Sequence, residues 1–160
     1  MTSDDGPQDH EQLKDTQKDA AQGLRSQRPS QVTEVYWLYA TRVVGNYPSA
    51  TRRSGKWLLF IANEDIDKVW EKVKQATEAG MLGGDSKVST AKPNPNAVDP
   101  SKAVICAYTY DSSDETDIMR VRDELRKLGF VSKIPYKTDE ATMTGRYRSR
   151  GDTRMSLYYR

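Results

Sequence analysis

Histidine and cysteine are almost missing from this chain: 160 residues hold one of each, His10 and Cys106. A Ser-His-Asp or Cys-His relay needs an imidazole fixed in a folded setting. His10 sits in a stretch too polar to fold, so that chemistry is excluded, together with metal sites built on histidine. One cysteine cannot form an internal disulfide framework. Cys106 lies within the apolar run AVICAY with no basic neighbour in sequence, so it is expected to be a packing residue rather than a nucleophile. No apolar stretch approaches the roughly 18 residues of a membrane span, and no apolar secretory segment opens the sequence. The expectation is a protein of the reducing cytoplasm or nucleus, with no membrane, no metal and no cofactor.

Aromatic residues are also absent from residues 1–30, whose large aliphatics are Leu13 and Leu24. Ordering a residue costs roughly 1–2 kcal/mol, and this stretch has no apolar area to offset it, so it reads as a disordered polar tail. Residues 31–160 then make a single domain. Six acids and four bases fall in the tail, which leaves 21 bases and 17 acids beyond it, a formal +4. That balance is mildly basic, far from the charge of a histone-like protein.

What is present is strongly periodic. EVYWLYATR (34–42) and KWLLFIA (56–62) are β-branched and aromatic runs that predict strands. NEDIDKVWEKVKQATEAG changes period: Ile66, Val69, Trp70, Val73 and Ala76 share one helical face. Asn63 is the expected N-cap, Glu64 and Asp65 suit the positive end of the dipole, and Gly80 is the stop. KVST (87–90) predicts a short strand. AKPNPNAVDPSK predicts a loop, because its prolines cannot donate to a ladder. The plan then recurs. AVICAYTY (103–110) is a buried strand, and SSDETDIMRVRDELRKLG is a helix opening on the capping-box pair Ser112 and Glu115. Ile118, Val121, Leu125 and Leu128 stripe that helix and Gly129 ends it. Its RVRDELRK run mixes both signs, so Arg122 and Arg126 are expected on a solvated face beside neighbouring acids. VSKIPYK (131–137) is a strand with Pro135 at an edge or bulge. The order ββαββαβββ predicts an α+β fold: one curved, largely antiparallel sheet with helices packed on one face.

Near the end the chain reads TGRYRSRGDTRMSLYYR, residues 144–160. Gly151-Asp152 marks a hairpin turn. A three-residue loop sets Arg150 against Arg154, Arg148 against Ser156 and Arg146 against Tyr158. Tyr147, Ser149, Met155, Leu157 and Tyr159 then share the opposite face, and the apolar set selects this register. Arginines facing each other need a counter-anion, and the guanidinium fork fits phosphate. Two plainer roles compete: an edge hairpin guarded by charge, or a surface for a protein partner.

SGKWLLF, KVST, ICAYTYD, RVRDELRKLG and IPYKTDEATMTGRY, in that order, resemble the basophilic-leukaemia-expressed protein family over about residues 32–160. That family's fold is described as similar to the cap-binding translation initiation factor, so the resemblance implies a curved antiparallel sheet backed by helices. It does not transfer function. Cap recognition needs two rings around a methylated base, an acid at its edge and cations on the phosphates; the initiation factor's own cap-binding motifs are missing. Trp57 and Trp70 are expected in the core, and Trp37, beside Tyr36 and Tyr39, is left open. A second resemblance is to phosphothreonine lyases, which eliminate phosphate with a lysine base, a histidine acid and an arginine-rich pocket. Their Lys-x-His strand motif falls at Lys87-Val88-Ser89, where serine replaces the histidine. A tyrosine such as Tyr136 or Tyr158 would then have to supply the proton. A lysine base, Lys56, Lys87 or Lys137, would have to lose its own near neutral pH.

The leading expectation is a non-catalytic, monomeric binding module for a phosphorylated ligand: RNA, a nucleotide or a phosphoprotein. Arg146, Arg148, Arg150 and Arg154 would hold phosphate, with Lys87 and Lys137, and Tyr158 would stack on a base. A phosphothreonine-lyase-like enzyme using the same cations is the alternative.

Overall fold

The computed structural model describes residues 27–97, 99–143 and 156–160. In chain order these form β1 (Trp37–Thr41), β2 (Gly55–Ala62), α1 (Ile66–Glu78), β3 (Asp85–Ser89), β4 (Lys102–Thr109), α2 (Glu115–Lys127), β5 (Pro135–Thr138), α3 (Asp139–Met143) and β6 (Tyr158–Tyr159). The strands make one curved sheet in the order β1-β3-β4-β2-β5-β6, with each neighbouring pair antiparallel. The α+β plan expected from the alternation of patterns is the one observed.

Period-2 alternation decides which side of each strand is buried. Leu38 and Ala40 of β1, Trp57 and Leu59 of β2, Val88 of β3, Ile105 and Ala107 of β4 and Tyr136 of β5 face one way. Against them pack Ile66, Trp70, Val73 and Ala76 of α1 with Ile118, Val121 and Leu125 of α2. Burying each large side chain contributes about 1.5–3 kcal/mol, so this layer carries most of the fold's stability. Polar tips inside it are satisfied. Trp57 Nε1 donates to the Ile118 carbonyl at 3.1 Å, and the Tyr136 hydroxyl lies 2.6 Å from Thr109 Oγ1. Trp57 and Trp70 are core residues, as expected.

Four local expectations need correction. Asn63 does not cap α1. Its side-chain amide donates to the Pro100 carbonyl, and Asp65 takes the cap position without a side-chain bond. Ser112 does not cap α2 either; Asp114, two residues on, accepts from the Asp117 N–H at 3.1 Å. Arg122 is fully buried instead of solvated. Finally, Pro29–Gln31 form a 3-10 turn, with Pro29 buried and Ser30 bonded to Asp67 of α1, so ordered chain begins inside the stretch read as tail. The helix stops were legible: Gly80 and Gly129 follow α1 and α2 with positive φ of 77° and 107°.

Candidate functional site

The same alternation that fills the core sends a second set of side chains to the opposite face, away from α1 and α2. From β1 come Trp37 and Tyr39; from β3, Asp85, Lys87 and Ser89; from β4, Cys106 and Tyr108; from β2, Lys56, Leu58 and Phe60; from β5, Lys137. Register brings three lysines together. Lys56 pairs with Lys137 on one side and Tyr108 on the other. Lys87 pairs with Tyr39 on one side and Cys106 on the other.

Aromatic faces and carboxylates hold these ammonium groups. Lys87 Nζ stands 3.9 Å from the centroid of the Trp37 ring and 5.9 Å from that of Tyr108. Lys56 Nζ lies 5.8 Å from the Tyr108 ring and donates to Asp139 Oδ1 at 2.7 Å, while the Ser54 hydroxyl donates to Asp139 Oδ2 at 2.6 Å. Asp139 is the first residue of α3, so this short helix supplies a counter-charge to β2. Burial raises the Asp85 carboxyl above the usual carboxylate range, and the nearby Asp139 charge adds to the rise against the pull of Lys87. Burial likewise pushes the Cys106 thiol up to about 11, although Lys87, Lys56 and Lys137 all oppose it. Cys106 is therefore a neutral packing residue in the middle of a cationic ring. Burial also raises the Tyr108 hydroxyl, which stays protonated.

Of the residues expected from sequence to bind phosphate, Lys87 and Lys137 are brought to this one face. Arg146, Arg148, Arg150 and Arg154, with the hairpin they were placed on, lie outside the described residues. Tyr158 is across the sheet from Lys137: it pairs with Tyr136, half-buried, its ring edge-on to Tyr136 with centroids 5.8 Å apart. Sequence reasoning named Lys56 only as a base and left Trp37 open. The signal for both was phase. Each alternates with side chains that had to be buried, Trp57 and Leu38.

The geometry also bears on elimination chemistry. Lys87 and Ser89 share the open face, but Ser89 Oγ accepts from the Val104 N–H at 2.9 Å. Tyr136 is on the helical side, bonded to Thr109 with its hydroxyl pushed up to about 12 by burial. The two tyrosines offered as proton donors thus lie across the sheet from Lys87. Among the described residues no group of three or more His, Cys, Asp or Glu side chains could hold a metal ion, and no helix is long and apolar enough to cross a membrane.

The family model for basophilic leukemia-expressed protein Bles03 matches residues 9–144. The chain belongs to that family. Its fold is shared with two solved structures of schistosome eIF4E, one complexed with m7GpppA and 4E-BP and one with m7GpppG and 4E-BP. The TM-scores are 0.59 and 0.61, at 14% identity in each case, over 89% of this Bles03-family chain and 80% of each eIF4E chain. At that identity the likeness is one of fold.

Proposed function

We propose that this chain is a non-catalytic binding module that takes a phosphorylated ligand, a nucleotide or single-stranded RNA, on the open face of its sheet. The observation that carries this is Lys87 over the Trp37 ring next to Tyr39, with Lys137 and the buried, Asp139-paired Lys56 further across the same face beside Tyr108. Ammonium groups on a sheet face supply the electrostatic part of nucleic-acid affinity. The exposed Tyr39 ring, with the half-buried Trp37 indole over which Lys87 already stands, offers stacking surface worth about 1–3 kcal/mol per base. Stacking passes in this proposal from Tyr158 to Trp37 and Tyr39, because Tyr158 is on the helical side. In the register expected from sequence Arg146, Arg148, Arg150 and Arg154 share the face of Tyr158, so this proposal rests on the lysines and not on those arginines. The eIF4E structures, which hold a dinucleotide cap, support a nucleotide as the ligand class. The proposed setting is the cytoplasm or nucleus.

Fluorescence titration with a mixed-sequence RNA oligonucleotide tests this. Three phosphate contacts predict a log–log salt slope of about −2. Lys87→Ala with Lys137→Ala is expected to weaken binding about tenfold or more, and Trp37→Ala to remove a stacked base, about 1–3 kcal/mol. A flat salt response, or affinity unchanged in the double variant, rejects the proposal. A phosphothreonine peptide incubated with the protein is expected to stay intact; a dehydrated product would favour the lyase instead.

A further inference from the structure

Strand β1 ends the sheet on one side. The Thr90 N–H donates to the Tyr36 carbonyl and the Arg42 N–H to the Gly84 carbonyl. These bonds fix the parity of the strand. Main-chain groups of Leu38 and Ala40 point to β3, while those of Trp37, Tyr39 and Thr41 point outward. Among the described residues those outward groups meet no main-chain partner. Natural edges are blunted by proline, a bulge or charge, and residues 35–41, VYWLYAT, contain no proline and no charged residue. Val35, Tyr36, Tyr39, Val43 and Val44, on this strand and its flanks, are among the large apolar side chains left most exposed.

We propose that β1 pairs with β1 of a second copy of this chain, antiparallel about a two-fold axis at Leu38, joining two sheets into one. Charge chooses both the occupant and the register. Glu34 and Arg42 bracket the neutral run, so an antiparallel copy sets Glu34 of each chain opposite Arg42 of the other. Arg42 commits Nε and Nη2 to the Gly83 and Leu82 carbonyls at 3.1 and 2.6 Å. Its Nη1 makes only 3.5 Å contacts, which leaves one arm for a carboxylate. The same register sets Trp37 of each chain opposite Tyr39 of the other on the open face, a cross-strand aromatic pair made twice. A slip by two residues would keep hydrogen bonds but separate both pairs. The seam carries each Tyr39 to the other copy's Trp37 and Lys87. The proposal stands on the edge alone and departs from the monomer expected from sequence.

Sedimentation velocity of the full chain over a concentration series, with amide exchange at both ends of that series, tests the pairing. The expected result is a monomer–dimer equilibrium in which the Trp37 and Tyr39 amides gain protection as the dimer fills. Tyr39→Pro removes an outward N–H that β3 does not use, so the β1–β3 ladder is expected to survive while association falls about tenfold or more. Glu34→Lys leaves the strand untouched and sets like charges opposite, so it is expected to weaken association in the same direction. A monomer at every concentration overturns the proposal. So does a dimer whose Trp37 and Tyr39 amides exchange as fast as in the monomer, or one that Glu34→Lys leaves unchanged. RNA titration of the unaltered chain at concentrations well below the association midpoint, where it is monomeric, separates this outcome from any failure of the binding proposal.

Discussion

Arg122 shows how a single charged side chain can carry a fold. It is fully buried on α2, with its guanidinium carbon 5.8 Å from the centroid of the Trp57 ring. Its acceptors are main-chain oxygens: Phe130 at 2.8 Å, Ser132 at 2.8 Å and Arg160 at 2.9 Å. One planar fork thus ties the turn after α2 and the approach to β5 to the residue that follows β6. A hydrogen bond to a charged group contributes about 1.5–3 kcal/mol, and a stranded buried carbonyl costs about 1–3 kcal/mol. Arg122→Leu is therefore expected to cost at least about 3 kcal/mol, read as a lowered urea midpoint. Arg122→Lys should recover little, because an ammonium cannot reach these diverging oxygens with the same rigid geometry. A wild-type midpoint in Arg122→Leu would sink this account. The position was legible even though the residue misled: Ile118, Val121, Arg122 and Leu125 follow the i, i+3, i+4, i+7 spacing of a buried helical stripe. Charge argued for the surface, spacing argued for the core, and spacing won because three oxygens were there to meet the charge.

Strands β2 and β4 and both long helices were legible as elements because each has one period kept over many residues. Their ends were less so. A cap depends on where the chain comes from: Asn63 turns to Pro100, across the sheet's loops, a contact no local pattern encodes. The strand pairings are non-local too, and the partner of β6 could not be read from its own residues; it lies against β5, with Tyr158 opposite Tyr136. Gly55, the first residue of β2, shows the cost of such a crossing. A Cβ there would stand 2.3 Å from the Tyr136 hydroxyl oxygen. Gly55→Ala must therefore displace the fully buried Tyr136 ring and its bond to Thr109, and overpacking of this kind costs about 1–3 kcal/mol. Thermal unfolding should register the loss, and Gly55→Ala combined with Tyr136→Phe should lose less than the two changes added separately. Strict additivity would mean that the two residues are not coupled in this way.

Across the whole molecule, one face of the sheet carries the core and the other the proposed binding site, and the division was half visible beforehand. Lys87 and Lys137 were legible as phosphate candidates; that Lys56 stands beside Lys137, and Trp37 beside Lys87, needed the strand registers. Carboxylates divide in the same way. On the open face Asp85 is raised, so its contribution to stability is lost as pH rises through its folded value. At the start of α2 the sign reverses. The Ser113 hydroxyl and N–H, then Arg53 and Thr51, hold the Asp111 carboxyl well below the usual carboxylate range. The Tyr110 hydroxyl and the Asp117 N–H do the same for Asp114. Asp111 accepts from Thr51 Oγ1 at 2.9 Å and from Ser113 N at 2.8 Å, so it fastens the loop before β2 to the entry of α2. A depressed folded value means stability that is complete above about pH 4 and lost as pH falls through the folded value. The urea midpoint is therefore expected to fall steadily on acidification below about pH 4. Asp111→Asn should lie below wild type at neutral pH and converge toward it in acid, because both chains then lack the charge. Parallel pH profiles for the two proteins would show that Asp111 does not hold this junction through its charge.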